Sequence, residues 1–204
     1  MVYNARGTVG AKRKKLSWFG SLNRWILETL GWHLDDDLPA IDKYVVIGGP
    51  HTSNWDFVLG LMGMEAIGLK RRWIGKHQLF RWPLGWFFRW LGGMPVDRSA
   101  SHNFVDQVVE VYRGSEKLAL VMAPEGTRSK TDHWKTGFYY IALGAGIPIL
   151  LGYLDYSRKE GGAGPLFYPT GDIEADFEKI REFYSTKRGL NPWLESDVRL
   201  KTGT

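Results

Sequence analysis

The sequence predicts an α/β fold: a single domain with a mixed, largely parallel sheet flanked by helices, led by an N-terminal amphipathic helix. Three observations predict it. Short apolar runs at Tyr44–Ile47, Lys117–Met122 and 147–154 alternate with helical apolar periods at 54–67, 102–113 and 134–145. Two of the runs stop at Gly48-Gly49-Pro50 and near Pro124, residues that interrupt strands. No linker or internal repeat divides the 204 residues, a length that suits one substantial core.

Taken in order, residues 1–15 read as a basic arm with Lys12, Arg13, Lys14 and Lys15 in a run. From Ser17 to Trp32, Trp18, Leu22, Trp25 and Thr29 recur at helical spacing, so 1–32 is read as arm plus interfacial helix and 33–204 as the domain proper. Asp35, Asp36, Asp37 and Pro39 end that helix. The strand at Tyr44–Ile47 leads to a helix over 54–67, then a short strand over Arg72–Gly75 and an aromatic segment over Leu79–Leu91. Helix 102–113 is amphipathic through Phe104, Val105, Val108, Val109 and Tyr112. Strand Lys117–Met122, helix 134–145 and strand 147–154 follow, then a glycine-rich loop at 161–164 and an acidic-to-basic helix near 172–187.

Composition narrows the chemistry. The chain has no cysteine, which excludes disulfides, thiolate metal sites and a cysteine nucleophile. A formal charge of +5 favours an anionic partner, whether nucleic acid, anionic lipid or a phosphorylated substrate. From Thr136 to Leu154 no residue is charged, but the glycines and Pro148 within it suit a buried helix, turn and strand better than a membrane span. No cluster of metal-ligating residues is evident at informative spacing, and no nucleic-acid-binding module is recognised.

Ligands of α/β sheets bind outside the carboxyl ends of strands, and two polar loops leave strands there. In Gly49–Asp56, His51 can pair with Asp56 if the histidine lies in the loop and the carboxylate in the first helical turn, with Thr52, Ser53 or Asn54 as cap. Asp56 would then fix the imidazole tautomer and leave the other ring nitrogen free to take a proton. The spacing alone is also met by ordinary structural histidines. In Ala123–Ser129, Arg128 offers a planar fork for phosphate, Gly126 permits close backbone approach, and Glu125 can hold Arg128 or accept a substrate hydroxyl. A turn with a surface ion pair is the alternative there. His33, His77, His102 and His133 have no partner at informative spacing and read as structural.

Together the two loops resemble the glycerolipid acyltransferase family, which contains the 1-acylglycerol-3-phosphate acyltransferases. His51–Asp56 matches its H-x-x-x-x-D motif. Ala123–Ser129 matches F-P-E-G-T-R-S with alanine for phenylalanine. Gly75-Lys76, Leu79-Phe80, Pro83 and Gly92–Arg98 are similar to its second block, with Gln78 where glutamate is common. Ile147–Leu150 is similar to the fourth, with Leu151 for the second proline. The run Pro124–Arg128 alone would arise by chance in roughly one chain in 10⁴, so coincidence does not explain four ordered blocks.

The resemblance implies transfer of an acyl group from acyl-CoA or acyl-carrier protein to a lysophospholipid hydroxyl, with 1-acylglycerol-3-phosphate the first acceptor to consider. No cofactor is implied. His51 would be the general base with Asp56 behind it, while Lys76, Arg98, Glu125, Gly126, Thr127 and Arg128 would bind substrate. Backbone N–H groups near the helix start would steady the oxyanion. Residues 17–32 and 79–91, rich in tryptophan beside arginine, would rest on an anionic membrane surface at the cytoplasmic face, peripheral or monotopic. The remaining alternatives are another lysolipid acceptor, or a non-catalytic basic module binding lipid or nucleic acid.

Overall fold

The computed structural model describes residues 16–96 and 104–201. The basic arm and Arg98 lie outside these residues. The elements run α1 (Trp18–Thr29), β1 (His33–Asp35), β2 (Lys43–Gly49), α2 (Asn54–Ala66), β3 (Arg71–Lys76), a 3₁₀ turn (His77–Phe80), α3 (Gly85–Trp90) and β4 (Gly93–Val96). There follow α4 (Phe104–Arg113), β5 (Leu118–Met122), α5 (Gly137–Ala145), β6 (Ile149–Asp155), β7 (Glu160–Phe167), α6 (Ile173–Ser185) and a second 3₁₀ turn (Pro192–Leu194).

The seven strands form one sheet in the order β1-β7-β6-β2-β5-β3-β4. Five neighbouring pairs are parallel and β6–β7 is antiparallel, the mixed, largely parallel sheet expected from the alternating pattern. β2 lies between β5 and β6, and Val45 pairs with both Leu120 and Ile149. Consequently β2, β3, β4, β5 and β6 all end at the same edge, where the two polar loops emerge.

Several sequence expectations are corrected. Residues 161–164 are strand, not loop. The glycines are there because β7 is squeezed between neighbours: a Cβ at Gly162 would lie 2.1 Å from Asp35 O, and one at Gly164 2.5 Å from Leu151 O. His33–Asp35 forms edge strand β1, held by β7, where only a helix stop was read. Helix 134–145 begins at Gly137, because the backbone N–H groups of Trp134 and Lys135 go to Arg199 O and Pro124 O. Aromatic segment 79–91 is a 3₁₀ turn and the short helix α3, and Gly93–Val96 is a further strand.

The two faces of the sheet are filled differently. On one, Val45, Ile47, Leu120, Ile149 and Leu151 meet Tyr112 of α4, Phe138 and Ile141 of α5, and Phe177 and Ile180 of α6 in a dense aromatic core. On the other, Tyr44, Val46, Ala119, Leu150 and Ala163 meet only Ile67 and Leu69 as buried partners just after α2. α1 packs outside α2 through Leu27, with Trp32 and Ala66. Between α2 and the sheet lies a cavity of about 670 Å³.

Candidate active site

The loop after β2 reaches α2 through a capping box. The Ser53 side chain accepts from the Trp55 N–H at 3.1 Å, while Asp56, in the first turn, accepts from the Ser53 N–H at 2.7 Å. Of the three capping candidates in the sequence, the structure selects Ser53. His51 sits ahead of the helix and turns back over it, with Nδ1 3.3 Å from Asp56 Oδ2. The imidazole is partly exposed at 20% and the carboxylate buried at 3%. This leaves Nε2 as the ring nitrogen directed away from the carboxylate.

Asp56 is held on both oxygens. Oδ2 accepts from the Thr52 and Ser53 N–H groups at 2.6 and 2.7 Å, and Oδ1 accepts from the Tyr156 hydroxyl at 2.6 Å. Burial pushes the carboxyl upward, but the bonds from His51, Tyr156, Ser53 and Thr52 outweigh it and keep it below its ordinary value. Asp56 is therefore an anion set against Nδ1, where it holds the orientation of the imidazole ring.

The second loop leaves β5, the parallel neighbour of β2, which brings Glu125 under His51. Glu125 is 2% exposed; it accepts from the His51 backbone N–H at 2.7 Å and from the Ser196 hydroxyl at 3.3 Å. Burial raises its carboxyl to about 7, partly offset by the His51 N–H. Its bonds run to His51 and Ser196 and not to Arg128, so Glu125 ties the two loops together. Gly126 takes φ +68, and a Cβ there would come within 2.7 Å of Lys135 Nζ. Its close neighbour is thus a lysine of the same chain. Thr127 Oγ1 accepts from the Ser129 N–H, and Arg128 is exposed at the loop tip.

His51, Asp56 and Arg128 all line the cavity. Its remaining wall is mostly apolar, with Val46, Leu61, Met64, Trp73, Phe88 and Leu150 among the contributors and Gln78 as a polar one. Gly48, Gly60 and Gly63 contribute empty space, since a Cβ at any of them would meet nothing within 4 Å. The volume is that of a small-molecule site, and the lining is suited to a hydrocarbon chain. Lys76 ends β3 at the same edge, and Arg98 lies outside the described residues.

Of the N–H groups around the start of α2, those of His51, Thr52, Ser53 and Trp55 are already bonded, to Glu125, Asp56, Asp56 and Ser53, so these four are not spare donors for an oxyanion. Sequence reasoning missed Tyr156 and Ser196, and Asn191, whose side-chain N–H donates to Thr52 O at 3.0 Å. Tyr156 follows the carboxyl end of β6, the other neighbour of β2, so the rule that found the first two loops applies to it as well.

The acyltransferase family model matches residues 31–150, more than half of the chain. Among curated proteins, the 1-acyl-sn-glycerol-3-phosphate acyltransferase of Streptococcus pneumoniae is 29% identical over 103 residues, 50% of this chain and 38% of that protein. The enzyme of the same name from Cocos nucifera is 36% identical over 83 residues, 38% of this chain and 27% of that protein. The Escherichia coli protein of that name is 29% identical over 107 residues, or 49% and 42%. The matched segments thus span well under half of these relatives. The solved structure of the 1-acyl-sn-glycerophosphate acyltransferase PlsC from Thermotoga maritima superposes with a TM-score of 0.57 at 16% identity, covering 82% of this chain and 73% of that one. That likeness concerns the fold.

Proposed function

The chain belongs to the acyltransferase family, and we propose that it moves a fatty acyl group from acyl-CoA or acyl-carrier protein to the free hydroxyl of a lysophospholipid, with 1-acylglycerol-3-phosphate as acceptor. The observation that carries this reading is the His51–Asp56 pair at the edge of an apolar cavity that Arg128 also lines. The acyl chain occupies the cavity, which brings its thioester to His51. The acceptor hydroxyl gives its proton to Nε2 as its oxygen attacks the thioester carbonyl; general-base help of this kind is typically worth ~10²–10⁴ in rate. The tetrahedral intermediate then collapses, the C–S bond breaks, and the departing thiolate takes the proton from the imidazolium. Asp56 remains ionised throughout.

Arg128 is the cation lining the cavity among the described side chains, so it faces both the acceptor phosphate and the developing oxyanion. Lys76, Arg98 and Thr127 complete the acceptor site in this reading, and Glu125 and Gly126 shape the loop.

Lipid substrates require contact with a bilayer, and the surface suits one. α1 buries Asn23, whose side-chain N–H donates to Phe19 O, and turns Trp18 and Trp25 outward. Trp82, Trp86 and Trp90 are exposed around α3, and Phe19 and Trp90 approach with ring centroids 6.4 Å apart. Phe88 of α3 lines the cavity, so the helix that carries Trp86 and Trp90 also contributes to its wall. No helix among the described residues is long and apolar enough to cross a membrane. In this reading the chain attaches to an anionic, cytoplasm-facing leaflet as a peripheral or monotopic protein, with the basic arm of the sequence adding charge.

The test is a turnover assay of the purified chain with acyl-CoA and acyl-carrier-protein donors, against lysophosphatidate and a phosphate-free monoacylglycerol. Turnover is expected with lysophosphatidate and absent in His51→Ala. Arg128→Lys should lose more activity with lysophosphatidate than with monoacylglycerol. Full activity in His51→Ala removes the general-base assignment.

A further inference from the structure

The family match ends at residue 150, yet the support of the His51–Asp56 pair comes from beyond it. Tyr156, set by the end of β6, donates to Asp56 Oδ1 at 2.6 Å across 100 positions of sequence. We infer that Tyr156 is a positioning residue for the reaction, aiming the Asp56 carboxylate so that Oδ2 stays aligned with His51 Nδ1. This rests on the general-base reading above.

The geometry requires such a part. Asp56 Oδ2 faces three groups, the Thr52 and Ser53 N–H donors and His51 Nδ1, all on the same loop. Those three fix one oxygen but leave the carboxylate plane free to pivot about it. A donor on the opposite oxygen removes that freedom, and Tyr156 supplies it from a separate element. Tyr156 is itself anchored at both ends: its backbone N–H donates to Arg188 O, and its ring packs edge-on against Trp32 with centroids 5.2 Å apart. Trp32 is buried, so the hydroxyl is held in place. Burial, then the bond to Asp56, keeps the phenol well above its ordinary pKa, and it remains a donor across the physiological range.

The same late segment braces the loop itself. Asn191 donates its backbone N–H to Thr52 Oγ1 and its side-chain N–H to Thr52 O. Gly189 lies so close that a Cβ would be 2.6 Å from Thr52 Oγ1. With Thr52 clamped from outside and Asp56 aimed from outside, the pair keeps its alignment while His51 exchanges protons.

The experiment compares wild type, Tyr156→Phe and His51→Ala. Phenylalanine keeps the ring against Trp32 and removes only the hydroxyl. Tyr156→Phe is expected to lower kcat by about ten- to a hundredfold, the range of a hydrogen bond to a charged group, while KM for donor and acceptor changes less than about twofold. A far-downfield proton resonance is expected for the His51 Nδ1–H of wild type by NMR, and it should shift or broaden in Tyr156→Phe at unchanged circular dichroism. Wild-type kcat with an unchanged resonance in Tyr156→Phe, alongside an inactive His51→Ala, overturns the positioning role and leaves the general base standing. An active His51→Ala instead overturns the reading on which the inference rests. The resonance is read on folded protein and decides the matter even if Tyr156→Phe turns over too slowly to assay.

Discussion

Gly63 is the place where the cavity's role in selecting acyl chains is most open to test. It lies on α2 three residues after Gly60, on the same helical face, and a Cβ at either position would meet nothing within 4 Å. At 1.5 Å per residue, Gly63 is about 13 Å along the helix from Asn54, next to the loop that carries His51, so it lies deep in the cavity. In Gly63→Leu, four carbons enter space that an acyl tail would otherwise fill. At about 0.8 kcal/mol per buried methylene, a donor long enough to reach this depth loses about 3 kcal/mol of binding, or roughly 200-fold in kcat/KM. A donor that ends short of Gly63 loses nothing. Helix propensity acts in the opposite direction: leucine for glycine in a helix interior stabilises by about 0.5–1 kcal/mol. The assay is kcat/KM across a homologous series of saturated acyl thioesters, with the thermal midpoint measured beside it. The expected result is a break in the series at one chain length, in a protein that melts no lower than wild type. A loss spread evenly over all donors, or no loss, would refute the placement of the acyl chain.

Asp56→Asn should lower kcat by about 10³–10⁴ with little change in KM, because the amide no longer favours the imidazolium or the correct tautomer; single-turnover kinetics check it. Glu125 has a pKa raised to about 7 by burial, so its contribution to stability is complete below the unfolded carboxyl value of about 4.5 and is lost as pH rises through about 7. Denaturant midpoints at acidic and at mildly alkaline pH should therefore differ less in Glu125→Gln than in wild type, and an equal difference would exclude this origin. Trp82 and Trp86 are 93% and 69% exposed, so Trp82→Ser and Trp86→Ser should leave the melting temperature unchanged while weakening sedimentation with anionic vesicles by about tenfold each. Unchanged partitioning would place the membrane contact elsewhere.

The pairing of His51 with Asp56 was legible in the sequence because it is local: a strand end, a capping residue and a first-turn carboxylate all fall within one short segment. The joining of that segment to Ala123–Ser129 was legible one step further, since parallel neighbours deliver their loops to the same edge. What failed was anything set by contacts across the fold. The glycines at 161–164 read as loop by composition, and only the confinement of β7 between β1 and β6 explains them as strand. Glu125 beside Arg128 in sequence suggested an ion pair, whereas its side chain turns inward to the His51 N–H. Tyr156 and Asn191 bond to residues 100 and 139 positions away, and no local pattern marks such partners. The cavity was equally hidden, because it is made of side chains that are missing at Gly48, Gly60 and Gly63.

The unequal filling of the two sheet faces separates tolerance to change from specialisation. Enlarging or trimming a residue on the α4–α6 side disturbs interlocked rings such as Phe138 and Phe177, and its effect falls on unfolding. On the α2 side, few large side chains meet, and exchanges at Gly60, Gly63 or Met64 redraw the space offered to a ligand with little effect on folding. Divergence between relatives that share this architecture is therefore expected to concentrate along α2 and the sheet positions beneath it, so that new acyl preferences can arise there while the opposite layer stays constant.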